Sequence, residues 1–217
     1  MTLQAELDAF QAEWRQRAPD AAQALIAAQI EDLRAGGAET SVLAVGSALP
    51  ELTLNDQAGE AVRLRDLGPA VIVFYRGGWC PYCNLTLRAW QKHLPELAAR
   101  GARLVAISPA NPDETLSTAE RNALAFPVLT DGDGAAMRAF GLEFALPQPL
   151  RDLYARFGHD LSAVNGAVGW SLPMPGTFVV DARGVIVFAQ AEADYRRRAD
   201  PAAALAALPP RPALAMA

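Results

Sequence analysis

Hydrophobic residues recur every three or four positions in two N-terminal stretches, residues 3–14 and 25–33. This spacing places the apolar side chains on one face of a helix. Pro19 lies between the stretches and separates two helices, because proline cannot continue an intrahelical hydrogen-bond ladder. Gly36 and its neighbouring glycine end the second helix. The pattern predicts a helical arm over residues 1–40, which packs either on its own domain or on a second subunit.

The next part of the chain alternates between strand and helix patterns. The run at residues 70–75 is apolar on both faces, which is typical of a central strand covered by helices. Helical spacing follows to about residue 100, and residues 103–107 form a second buried strand. The order strand, helix, strand predicts a parallel pair with a right-handed crossover.

The remaining pattern adds antiparallel hairpins and short helices. Hairpins are predicted around the turns at residues 55–59 and 181–184, and Asn111 and Asp200 are candidate helix caps before prolines. Other predicted elements are a strand at residues 126–129, helices at 135–140 and 150–157, and a last helix from 200 to about 208. The resulting fold class is α/β, with a central mixed β-sheet and helices on both faces. We assign this domain to residues 41–210 and a tail to residues 211–217.

Composition excludes several functions. The 217 residues are 52% hydrophobic and 20% charged, with a formal net charge of -5, as in ordinary globular proteins. This acidic balance argues against nucleic acid and against an anionic membrane as partners. Residues 1–12 lack the layout of a signal peptide, and there is no apolar run long enough to span a bilayer. We therefore expect a cytoplasmic protein.

The only two cysteines lie three positions apart, in Cys80-Pro81-Tyr82-Cys83, where the central strand gives way to a helix. Two cysteines cannot form a disulfide scaffold, and two histidines add too few ligands for a closed zinc site, so we expect no metal and no cofactor. A helix start brings both sulfurs within reach and favours a thiolate. The motif indicates a redox centre. Two buried apolar cysteines, or a metal shared between subunits, are the alternatives.

The run from Phe74 to Leu85 resembles the peroxiredoxin-like branch of the alkyl hydroperoxide reductase/thiol-specific antioxidant family, within the thioredoxin superfamily. The resemblance covers about residues 45–208 and includes residues 126–131, 173–181 and 194–196. It implies a thioredoxin-like fold and an oxidoreductase, a thiol-dependent peroxidase that reduces hydrogen peroxide or organic hydroperoxides through a dithiol/disulfide cycle. It also implies a thioredoxin-like or glutathione-dependent thiol donor, and a homodimer is one assembly it allows.

This chain matches the family motif at some positions and departs from it at others. The peroxide-attacking position of the family falls on Cys83, and the usual threonine position falls on Cys80. Arg76 stands where the family has proline, and Pro175 stands where it has arginine. We assign Cys80 and Cys83 as catalytic with the order open, and Arg76, Trp79 and Pro175 as substrate-site candidates.

The missing arginine needs a substitute if a peroxide is to be held. Arg76, or one of the three arginines at residues 196–198, could supply the charge. For each of the three we expect a solvated side chain. Asn165 and Trp170 could line the same face, whereas His93 and His159 are expected to be structural or exposed.

Other features resemble thioredoxins and glutaredoxins. There the first cysteine, here Cys80, attacks and the second, here Cys83, resolves, and a cis-proline at the position of Pro175 faces the thiols. The alternative function is therefore a thiol-disulfide oxidoreductase. A third hypothesis is a non-enzymatic redox-sensing module, in which a disulfide changes the docking of the arm.

Overall fold

A computed structural model describes residues 2–208 of the chain; the predicted tail at residues 211–217 lies outside them. The helices are α1 (Leu3–Arg17), α2 (Asp20–Ala35), α3 (Pro81–Lys92), α4 (Leu94–Ala99), α5 (Pro112–Arg121), α6 (Ala135–Ala139), α7 (Gln148–Arg156), α8 (Leu161–Val164) and α9 (Pro201–Ala206). The strands are β1 (Thr53–Asp56), β2 (Ala61–Arg63), β3 (Ala70–Phe74), β4 (Arg103–Ser108), β5 (Val128–Thr130), β6 (Glu143–Ala145), β7 (Ser171–Pro173), β8 (Gly176–Val180) and β9 (Ile186–Ala191). Single 3-10 turns lie at Ala38–Ser41 and Leu64–Leu67.

Within residues 2–208, seven strands form one mixed sheet in the order β2-β1-β5-β4-β3-β8-β9. β3 runs parallel to β4, with Ala70 opposite Arg103 and Phe74 opposite Ile107. β5 continues the parallel part, while β8 pairs with β3 in the antiparallel direction. The predicted parallel pair and the mixed sheet are thus confirmed.

The sheet separates two hydrophobic layers because side chains alternate between the faces of a strand. Val71 and Val73 of β3 belong to the layer that contains residues of α1, α3 and α9. Ile72 and Phe74, the alternate residues, pack in the layer that contains α6. Helices therefore cover both faces, as the uninterrupted apolar run of β3 predicts.

The N-terminal arm packs on its own chain. Leu3 and Leu7 of α1 are buried in the same cluster as the residues of α3. Ile26 of α2 joins a separate cluster with Leu150 and Leu153 of α7. Of the two alternatives for the arm, the structure shows packing on its own domain.

The long helix predicted after the central strand is interrupted. α3 ends at Lys92 and α4 begins at Leu94, because Pro95 has no backbone N–H to donate to Gln91. The pair β6 and β7 was not predicted, since strands of three residues carry too little alternation. No helix among residues 2–208 is long and apolar enough to cross a membrane.

Candidate active site

A glycine-containing loop places the two cysteines at the start of α3. The loop at residues 76–79 leaves β3, and Cys80 is the N-cap of α3 with Pro81 in its first turn. Gly77 has a φ of 142°, and a Cβ there would lie 2.4 Å from the indole Nε1 of Trp79. Glycine therefore lets Trp79 fold back over the loop beside Cys80.

Cys83 lies in an environment that favours its thiolate. The backbone N–H of Arg76 donates to its sulfur at 3.4 Å, and Nη2 of Arg198 lies 3.6 Å from it. Burial by itself would raise the pKa of Cys83. The hydrogen bond from the Cys80 thiol and the charges of the two arginines outweigh burial and lower that pKa well below its usual value.

Cys80 is the proton-holding partner of the pair. Burial, the hydrogen bond to Cys83 and the negative charge there raise the pKa of Cys80 well above its usual value. Both cysteines are free thiols. Both shifts favour the thiolate on Cys83 and the proton on Cys80.

Arg198 is fixed by contacts from two directions. Its Nε donates to the carbonyl oxygen of Tyr195 at 2.7 Å, and its backbone N–H donates to Oε1 of Gln4 in α1 at 3.4 Å. It is 9% exposed. The expectation of a solvated side chain is wrong for Arg198 and also for Arg196, whose side chain is 17% exposed and pairs with Asp194. The Arg197 side chain is half exposed and lies 3.5 Å from Asp8.

Arg76 is buried among aromatic rings. Its guanidinium carbon lies 5.0 Å from the ring centre of Trp79 and 4.3 Å from that of Tyr195, and the hydroxyl of Tyr154 accepts a hydrogen bond from Nη2. Only 2% of the residue is exposed. Among residues 2–208 no carboxylate forms an ion pair with it, and its Nε has no partner. Cation–π contacts offset part of the cost of burying this charge.

An apolar cavity of about 360 Å³ borders the redox motif. Cys80 lines it, together with Arg76 and Trp79; Cys83 does not. The arm supplies part of the wall through Phe10, Trp14 and Ile26, and the α7 region supplies Tyr154, Phe157 and His159. The arm is thus part of the site, a role that no local sequence signal indicates.

The structure brings two of the three substrate-site candidates into the cavity. Arg76 and Trp79 line it, whereas Pro175 does not and instead borders, together with Arg76, a separate gap of about 20 Å³. No peptide bond between residues 2 and 208 is cis, so the cis-proline expected by the thioredoxin interpretation is wrong for Pro175.

His159 also differs from expectation. It forms part of the cavity wall, with its ring centre 5.3 Å from that of Trp79. Burial and the charge of Arg76 lower its pKa and so favour the neutral imidazole. Asn165 donates to the carbonyl oxygen of Gly169 at 2.6 Å, and neither it nor Trp170 lines the cavity. His93 pairs with Glu96 in α4.

Sequence reasoning missed Tyr154, Tyr195 and Trp14 as site residues. Tyr195 lies within a segment that resembles the family, which is the one signal that could have pointed to it. No group of three residues that could hold a metal ion occurs in the described part of the chain.

Comparison with known proteins identifies the family. The model of the AhpC/TSA family matches residues 45–189. Alkyl hydroperoxide reductase E of Mycobacterium bovis is 30% identical over 154 residues, which are 69% of this chain and 86% of that protein. The thiol-disulfide oxidoreductase ResA of Geobacillus thermodenitrificans is 29% identical over 132 residues, 60% of this chain and 74% of that one.

A solved structure shows the same fold. Peroxidoxin BcpB from Mycobacterium tuberculosis superposes with a TM-score of 0.58 at 23% identity, over 75% of this chain and 94% of that chain. This superposition confirms the expected thioredoxin-like fold. Together with the family match, it also confirms the expected class of enzyme, a thiol-dependent peroxidase. The chain belongs to the AhpC/TSA family.

Proposed function

We propose that this protein reduces hydroperoxides with Cys83 as the attacking thiolate and Cys80 as the resolving cysteine. The observation that supports this order is the contact of Cys83 with the Arg198 guanidinium, at 3.6 Å, at the start of α3. A cation and helix N–H groups stabilise the reactive thiolate. Arg198 thereby takes the role of the arginine that is missing at the position of Pro175.

The reaction balances with the two cysteines alone. The thiolate of Cys83 attacks the terminal oxygen of the peroxide, so that an S–O bond forms and the O–O bond breaks. The leaving alkoxide takes the proton of the Cys80 thiol and departs as an alcohol. The Cys80 thiolate then attacks the sulfur of the Cys83 sulfenic acid; a disulfide forms and hydroxide leaves, to be protonated by solvent.

The other residues shape access to this pair. Because Cys80 lines the cavity, its thiol meets the incoming peroxide first and can turn its one S–H from Cys83 toward the leaving oxygen. Trp79 forms an apolar wall, and Pro175 borders, together with Arg76, the small gap next to this cavity. The same position of Cys80 exposes one sulfur of the disulfide to a donor thiol.

A thioredoxin-like or glutathione-dependent thiol donor regenerates the dithiol by exchange. Such donors keep thiols reduced in the cytoplasm, which is where we place the protein. The proposed reaction requires no cofactor, and assembly of the protein as a homodimer is compatible with it.

The test compares wild type with Cys83→Ser and Cys80→Ser. Wild type should consume donor thiol in proportion to added hydroperoxide. After one equivalent of peroxide, Cys80→Ser should carry a trapped sulfenic acid on Cys83 and form no intramolecular disulfide; Cys83→Ser should not react. A wild type that reduces no hydroperoxide with any thiol donor refutes the peroxidase, and a sulfenic acid trapped on Cys80 in the wild type refutes the order.

A thiol-disulfide oxidoreductase is the second candidate. It is favoured by the cavity position of Cys80 and by the similarity to the Geobacillus oxidoreductase. The raised pKa of Cys80 weighs against it, because an attacking first cysteine needs to be a thiolate. Faster reduction of a model disulfide than of any hydroperoxide would support this candidate.

A further inference from the structure

The buried guanidinium of Arg76 has no carboxylate partner among residues 2–208, although its charge also acts on the thiolate proposed for Cys83. A buried guanidinium whose donors are not all hydrogen-bonded costs free energy, and the rings of Trp79 and Tyr195 with the hydroxyl of Tyr154 offset only part of that cost. The residue is 2% exposed, and the N–H of its Nε has no hydrogen-bond acceptor among residues 2–208. A ligand that brings an anionic oxygen would complete this environment.

The cavity that Arg76 lines is mostly apolar. Most of its wall consists of aromatic and aliphatic side chains, and Arg76 is the one permanent cation among the described residues that line it. No carboxylate of the described chain lines it. Such a site suits an organic body that carries one negative group.

We infer that this cavity binds organic hydroperoxides that carry a carboxylate, with the carboxylate on Arg76 and the apolar body against Trp79 and the arm. A single guanidinium, with Nη2 already donating to Tyr154, matches a monovalent planar anion better than a phosphate. Because Cys80 lines the same cavity, the hydroperoxide end of the ligand would lie at the redox pair. This inference rests on the proposed function.

The kinetic test uses two matched substrates, cumene hydroperoxide and its 4-carboxylate derivative. Wild type should show a kcat/KM at least about tenfold higher for the carboxylate, as expected for a charge-assisted hydrogen bond. In Arg76→Gln this ratio should fall to about 1, and Arg76→Lys should retain part of it. Arg65→Gln removes an exposed arginine outside the cavity, paired with Glu51, and should keep the wild-type ratio.

A binding test on the wild type requires no variant and no turnover. The alcohol product, 4-(2-hydroxypropan-2-yl)benzoate, should bind the reduced protein in calorimetry at least about tenfold more tightly than its primary amide. Equal affinity for acid and amide, or a kcat/KM ratio of about 1 in the wild type, overturns the inference. Preference for the acid without reduction of any hydroperoxide would refute the proposed function and retain the anionic site.

Discussion

The Arg198 guanidinium lies 3.6 Å from the sulfur of Cys83, although 115 residues separate the two along the chain. The contact joins the loop before α9 to the start of α3. The same loop is held by Gln4 of α1, so the arm, the loop and the thiolate form one connected unit.

Replacement of Arg198 by glutamine should reduce peroxidase activity at neutral pH by about tenfold or more. The lost charge lets the pKa of Cys83 rise, and less thiolate remains. Activity should recover as the pH is raised, measured as the single-turnover rate against pH. Arg197→Gln is the matched control, because its side chain is half exposed and pairs with Asp8. An equal loss at every pH would contradict a role through thiolate stability.

The two thiols should titrate far apart. The pKa of Cys83 is lowered and that of Cys80 is raised, so the first thiolate should form below the ordinary thiol range and the second above it. Since the deprotonated sulfur reacts, activity should persist below the ordinary thiol range and fall only as the pH drops through the lowered pKa of Cys83. Thiolate absorbance near 240 nm measures both steps. Two overlapping titrations near the ordinary thiol pKa would disprove this assignment.

Gly77→Ala should destabilise the protein by about 1–3 kcal/mol. The new Cβ would meet Nε1 of Trp79 at 2.4 Å, on a backbone with a φ of 142°. Chemical denaturation measures the change. Gly158→Ala is the control, because it has a φ of 84° and nothing within 4 Å of the added Cβ, so it carries the backbone strain without the collision. An equal loss of unfolding free energy in both variants would show that the collision with Trp79 does not contribute to the destabilisation.

Leu7→Ala should lower the free energy of unfolding by about 2–5 kcal/mol, as for other buried leucines. Leu7 is fully buried in the cluster that contains α3, so the arm should unfold together with the domain in one transition. Leu116→Ala, at a position 42% exposed, should change stability by no more than about 0.5 kcal/mol. An arm that melts separately, seen as a second transition, would contradict this prediction.

Local patterns predicted most of the fold. The apolar run of β3 placed the central strand, and Asn111 and Asp200 marked two helix starts; each accepts the expected backbone hydrogen bond in the structure. Where the pattern failed, the cause was a local break or a short element, as at Pro95 and in the pair β6 and β7. The division at residue 40 stays a prediction.

The residues of the site likewise fall into those that the sequence predicted and those that only the fold brought together. The sequence by itself determined the redox motif, because Cys80 and Cys83 need only a helix start to come together. Only the tertiary structure decided which sulfur favours the thiolate, since Arg198 reaches Cys83 from a distant part of the chain. It also decided that the arm forms part of the cavity wall beside Arg76, because contacts between distant elements leave no periodic signal in the sequence.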